Sequence, residues 1–240
     1  MHRRSIDCVV LKKINYGDSD KIVTLLTDEL GKITVMAKGV RKISSRRAGN
    51  LDSLNYIKAQ ISHGSASGLK TIGEVRTIKS FRTLKQSLVK AKLAFYCIEM
   101  VNKLLEVDHP TPGVFKLVLS TIAGLNSDDL NPGLVTARFE ILLLRNMGYE
   151  LSLENCVVCG KVFSNTWESV KFSHELGGLC CADHTINTVA LPIGTAKLLN
   201  DISKGAVKRK YSSQDLSAAA QLVKKFVYEI TDYKLKSLEL

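Results

Sequence analysis

No apolar run in this 240-residue chain reaches the roughly 18 residues needed to span a bilayer. The arginines near Met1 are not followed by the apolar stretch of a secretion signal. These absences point to the cytoplasm and away from a membrane partner. Catalytic patterns are missing too. There is no glycine loop ending in Gly-Lys-Ser/Thr, no Gly-x-Ser-x-Gly elbow and no His-Glu-x-x-His helix. Asp18, Asp20 and Asp28 sit near Gly17 and Ser19, a setting that turn chemistry explains better than metal-dependent hydrolysis. His63 and His109 have no evident partner. The chain is therefore expected to bind rather than to catalyse. It has no internal repeat and no low-complexity tract. Six cysteines in a cytoplasmic chain of this length argue against a disulfide scaffold.

Acidic residues are absent between Glu29 and Asp52, where Lys32, Lys38, Arg41, Lys42, Arg46 and Arg47 all fall. Residues 1–90 hold 18 Lys/Arg against 7 Asp/Glu, whereas residues 91–240 hold 16 of each. The whole formal charge of +11 thus belongs to the first part of the chain. Charge segregated in this way suits a polyanion, and nucleic acid is the expected partner. Lys38 to Arg47 reads as a loop after a strand, able to follow phosphates without reading bases. Tyr16 and Tyr56 could stack on bases or belong to the core.

Five short β-branched runs are predicted as strands: Val9–Leu11, Ile22–Leu26, Ile33–Ala37, Tyr56–Ile61 and Ile72–Ile78. Five strands in this length suit a small closed barrel such as an OB-fold. From Leu84 the apolar period becomes helical, through Leu88, Ala91, Phe95, Ile98, Val101 and Leu105. Further helices are expected at Val114–Leu125, Val135–Met147 and Leu216–Ile230. Gly148 caps one of them, and Ser212 with Asp215 caps another. The expected class is α+β: an N-terminal β-barrel (OB-fold) over residues 1–80, then an all-helical domain over residues 81–240.

Four cysteines crowd one stretch. Cys156 and Cys159, then Cys181 and His184, give the spacing C-x2-C-x21-C-x2-H. Two chelating pairs can supply a tetrahedron of donors, with each x2 turn pointing both atoms at one ion. Gly160, Gly177 and Gly178 fit such turns. Four protein donors leave no open position, so one structural Zn²⁺ is expected, in a zinc-knuckle insert at about residues 153–188. Cys180 competes for the third position, but its x3 gap to His184 favours Cys181. Cys8 and Cys97 lie in apolar runs and are expected to be buried bystanders.

Strings along most of the chain resemble the bacterial recombination mediator family RecO. They include Val10-Leu11, Tyr16-Gly17-Asp18-Ser19-Asp20, Leu25-Leu26-Thr27, Gly31-Lys32 and Ala37-Lys38-Gly39-Val40-Arg41. Tyr96-Cys97-Ile98-Glu99, Arg138 to Leu144, Met147-Gly148-Tyr149, Cys156 to Gly160, Gly177-Gly178 and Lys234 to Leu238 follow in order. The resemblance implies an OB-fold, a helical domain and a zinc-binding insert. It implies a protein that binds and anneals single-stranded DNA and helps load a recombinase onto DNA coated with single-strand-binding protein. Implied partners are single-stranded and duplex DNA, RecR and the acidic tail of single-strand-binding protein, in the cytoplasm at the nucleoid. The family's DNA-contacting cations map onto Lys38 and Arg41. Its fourth zinc ligand is usually cysteine, where this chain has His184. Arg138, on an apolar helix, is a candidate contact for the acidic tail. A basic zinc-containing RNA- or ribosome-associated protein is the alternative.

Overall fold

The computed structural model describes residues 3–43, 45, 47–62, 69–184, 187–205 and 210–231. Strands β1 (Arg3–Tyr16), β2 (Asp20–Thr27), β3 (Gly31–Ala37), β4 (Tyr56–Ser62) and β5 (Lys70–Lys79) close into a barrel in the order β1-β2-β3-β5-β4. Alternation builds it. Ile6, Cys8 and Val10 of β1 point inward, as do Val23 and Leu25, then Ile33, Val35 and Ala37, then Ile57, Ala59 and Ile61. Burying one face of every strand in a single core is the main stabilising contribution. β1 is longer than its apolar run predicts because it serves two neighbours. Its first half pairs with β4 and its second with β2, and a register shift between Val10 and Lys12 bends it between them.

The barrel closes between β3 and β5 through a short parallel pairing, Val35 with Lys70 and Met36 with Thr71. Lower on β3, the segment after the second helix comes alongside. Lys32 bridges Val107, and the Asp108 N–H donates to the Lys32 carbonyl at 2.7 Å. Gly31 makes this approach possible. Its φ is +66°, and a Cβ there would collide with the His109 carbonyl.

Helices α1 (Arg82–Gln86), α2 (Leu88–Leu104) and α3 (Val114–Asn126) follow the barrel and pack with it as one unit ending at Leu130. Tyr56 sits edge-on to Phe115 of α3, and Lys85 Nζ donates to Asn55 Oδ1 at 2.7 Å. Strand gives way to helix between Lys79 and Arg82, and the compact unit runs on to Leu130 because these helices complete it.

The second unit begins at Asn131. It contains α4 (Pro132–Asn146), a sheet of β6 (Val170–Ser173), β7 (Gly178–Cys180) and β8 (Thr188–Leu191), then α5 (Ile193–Ser203) and α6 (Ser213–Thr231). The sheet order is β7-β6-β8. This part was expected to be helical around a metal insert, and the sheet and α5 are additions to that expectation. α6 packs on α4 and α5, and Phe226 of α6 meets Phe172 of β6 edge-on. The expected caps are present. Gly148 takes a φ of +86° after α4, and Ser212 Oγ accepts from the Asp215 N–H at 3.1 Å before α6. Among the described residues, no helix is long and apolar enough to cross a membrane.

Candidate nucleic-acid interface and metal centre

The chain leaving β3 folds back against the β1–β2 turn. Asp20 organises the contact, accepting from the Gly39 N–H at 2.7 Å and from Ser19 Oγ at 3.1 Å. The Gly39 N–H bond is the largest influence holding the Asp20 carboxyl below its usual range, with Lys38 and Lys42 adding smaller attraction. The Arg41 N–H donates to the Ser19 carbonyl at 2.8 Å, and its guanidinium reaches the Gly17 carbonyl at 2.9 Å. Lys38, Arg41 and Lys42 are thereby displayed on one turn with their side chains exposed. Among the described residues, the barrel's ion pairs are made by other cations: Arg4 with Glu29, Lys13 with Asp52, Lys58 with Asp7 and Lys70 with Asp108. Tyr16, 52% exposed, ends β1 where the β1–β2 turn begins.

Other cations from the acid-free stretch have different positions. Lys32 is only 6% exposed, and its Nζ donates to the Asn102 carbonyl near the end of α2 at 2.6 Å. Burial lowers its pKa. It joins barrel to helix and is not available to a ligand. Arg47 is half-buried. Its guanidinium donates to the carbonyls of Lys38, Ile72 and Gly73, pinning the loop to β5. Arg46 lies outside the described residues, as does His63. Tyr56 belongs to the interior framework. Its hydroxyl donates to Asp7 Oδ2 at 2.8 Å, and its pKa rises to about 12, first through burial and then through that carboxylate. Residues not singled out in the sequence, Lys58 and Arg76, line an open groove with Arg47, Asn50 and Gln60 across β4 and β5. Their lysine and arginine identity gave no hint of it, because the groove arises from strand pairing.

The second site lies in the other unit. Donor atoms of Cys156, Cys159, Cys181 and His184 all fall within 4.8 Å of one another. Cys159 Sγ is 3.9 Å from Cys181 Sγ, and His184 Nδ1 is 3.2 Å from Cys181 Sγ and 3.7 Å from Cys156 Sγ. A tetrahedron with Zn–S bonds of about 2.3 Å has sulfur–sulfur edges of about 3.8 Å, so this donor set fits zinc in type and spacing. Cys181, not Cys180, completes the set.

The local chain explains the convergence. The Gly160 N–H returns to the Cys156 carbonyl at 2.8 Å, with Gly160 at φ +74°, which closes the first turn. The Val157 N–H donates to the Leu179 carbonyl at 2.8 Å and fixes that turn to β7. Gly178 is required at this crossing, because a Cβ would crowd Ser152 and Val157 at 2.8–2.9 Å. Lys171 Nζ holds the second turn through the carbonyls of Ala182 and His184. Burial raises the Cys156 thiol, but the N–H groups of Cys159, Cys181 and Val158 outweigh it, and the net pKa is about 6. A cation would thus find Cys156 charged near neutral pH.

Arg138 is exposed on α4. Leu134, Val135 and Leu142, its neighbours at helical spacing, are half-buried. The cation therefore stands on an apolar strip.

The chain thus combines a closed five-stranded barrel bearing an exposed basic turn with a largely helical part that carries a Cys3His cluster. Its first 81 residues match the family model for the recombination protein O N terminal, and residues 85–239 match that for the C terminal. The chain belongs to the RecO family of DNA-repair proteins. It is 30% identical to the DNA repair protein RecO of Symbiobacterium thermophilum, over 98% of this chain and 95% of the relative. It is 32% identical to that of Dehalococcoides mccartyi, over 85% and 80%. For Anaeromyxobacter dehalogenans the figures are 30% identity, 92% and 86%.

Proposed function

We propose that this protein is a recombination mediator that binds and anneals single-stranded DNA and helps a recombinase onto DNA coated with single-strand-binding protein. One observation carries the reading: Lys38, Arg41 and Lys42 are exposed together on a turn held by Asp20, outside the barrel's ion pairs. Cations held this way neutralise phosphates without forming bonds to bases. Two strands brought to the same surface repel each other less, and pairing can proceed. Duplex DNA would bind by the same charge. Arg47 contributes by bracing the loop, and Arg46 extends the set by its place in the sequence. RecR is the proposed protein partner. One zinc ion, held by Cys156, Cys159, Cys181 and His184, would lock the two turns together as a structural element.

The test is oligonucleotide binding across a salt series. Replacing Lys38, Arg41 and Lys42 together by alanine should lower the slope of log K against log salt by about 2, at roughly 0.7 per phosphate contact on a single strand. An unchanged slope would place the contact elsewhere. Competition among single-stranded DNA, duplex and RNA separates this reading from an RNA-directed one.

Arg138 and its apolar strip are the proposed seat for the acidic tail of single-strand-binding protein. Arg138→Glu should weaken a tail peptide at least about tenfold, through like-charge repulsion and a lost pair. Oligonucleotide binding should stay unchanged. A tail affinity equal to that of the parent protein would remove Arg138 from the site.

A further inference from the structure

The four donors of the cluster are unequally protected. Cys156 and Cys181 are each 2% exposed, and His184 is half-buried. Cys159 is open to solvent, on an exposed turn running from Val158 to Val162. Its sulfur faces Cys181 Sγ at 3.9 Å. Cys181 is held in place, its N–H donating to Cys156 Sγ at 3.5 Å and its turn fastened by Lys171. A reachable sulfur thus stands opposite an anchored one. A disulfide needs about 2.05 Å between sulfurs, so closure asks for a movement of about 2 Å by the exposed turn.

We propose that Cys159 is a peroxide-sensitive modification site whose oxidation joins it to Cys181 and expels the zinc ion. The inference rests on the zinc reading above. In the first step the Cys159 thiolate attacks one oxygen of hydrogen peroxide. A sulfur–oxygen bond forms, the oxygen–oxygen bond breaks, and the departing hydroxide takes a proton to become water. Cys159 is now a sulfenic acid. In the second step the Cys181 thiolate attacks that sulfur. The disulfide forms, the sulfur–oxygen bond breaks, and a second hydroxide leaves as water. The two sulfurs together lose two electrons and the peroxide gains them. Zinc keeps two of four protein donors, Cys156 and His184, and is released. A dithiol reverses the change by exchange, attacking at the exposed Cys159 sulfur.

Cys180 provides the control. It is buried on β7 and takes no place among the four donors. Full-length zinc-loaded protein is treated with hydrogen peroxide beside a chromogenic zinc chelator, and its disulfides are then mapped by mass spectrometry without reduction. The expected result is loss of one zinc ion per chain, a Cys159–Cys181 peptide pair, and restored zinc binding after dithiothreitol and added zinc. Cys180→Ser should release zinc at an unchanged rate with the same pairing. Zinc retained under peroxide overturns the switch alone, as does a disulfide using Cys156 or Cys180. Protein that binds no zinc before oxidation sinks the metal reading itself, and the switch with it.

Discussion

Gly31→Ala is expected to cost this protein more stability than the same change at any other described glycine of the barrel, at least about 3 kcal/mol. Two effects add. A left-handed backbone at a residue bearing a Cβ costs about 1–2 kcal/mol, and the new methyl would also occupy the space of the His109 carbonyl. That carbonyl belongs to backbone, so relief requires moving the segment away from β3. The bridge between Lys32 and Val107 and the Asp108 to Lys32 hydrogen bond would go with it. Gly17→Ala separates the two effects. Gly17 has φ +54° and no atom within 4 Å of a built Cβ, so only the backbone cost of about 1–2 kcal/mol should appear. Urea unfolding of both variants makes the comparison. Equal midpoints would mean that the segment after α2 does not lie against Gly31.

Cys181→Ser should reduce zinc content from one ion per chain to nearly none, while Cys180→Ser should leave it at one. The two residues are adjacent and both buried, yet only Cys181 belongs to the donor set. A serine hydroxyl is a poor substitute for a thiolate at a zinc site, since it does not ionise near neutral pH. Structural zinc contributes on the order of 10 kcal/mol in small zinc-dependent peptides. Here a packed sheet and helices share the task, and a loss of about 3 kcal/mol or more is expected for the second unit. Metal analysis and thermal unfolding read the two quantities. Retention of zinc by Cys181→Ser together with its loss from Cys180→Ser would reverse the assignment.

The sequence made the barrel legible because its strands alternate or carry β-branched runs, a signal that one buried face enforces. α2, α3, α4 and α6 were legible for the matching reason at helical period. The strands β6, β7 and β8 were not, since three or four residues are too few for alternation to declare itself. The short helix α5 was hidden likewise. Cysteine spacing pointed to the Cys3His cluster, with Cys181 rather than Cys180 near the other three donors, because a chelating turn has few workable spacings. Charge was a weaker guide. Lys32, Arg47 and Arg41 look alike in an acid-free stretch, yet one is buried against Asn102, one braces a loop and one faces solvent. Side-chain type sets what a group can do, and only tertiary packing sets which neighbours it meets.

The narrow closure between β3 and β5 has a consequence for how the barrel breathes. Among the described residues two pairs hold that seam, whereas β1, β2 and β4 are laced along most of their lengths. The amide protons of β3 and β5 that face this seam should exchange with solvent before those of β2, opening the cylinder along one line while the rest of its wall stays intact.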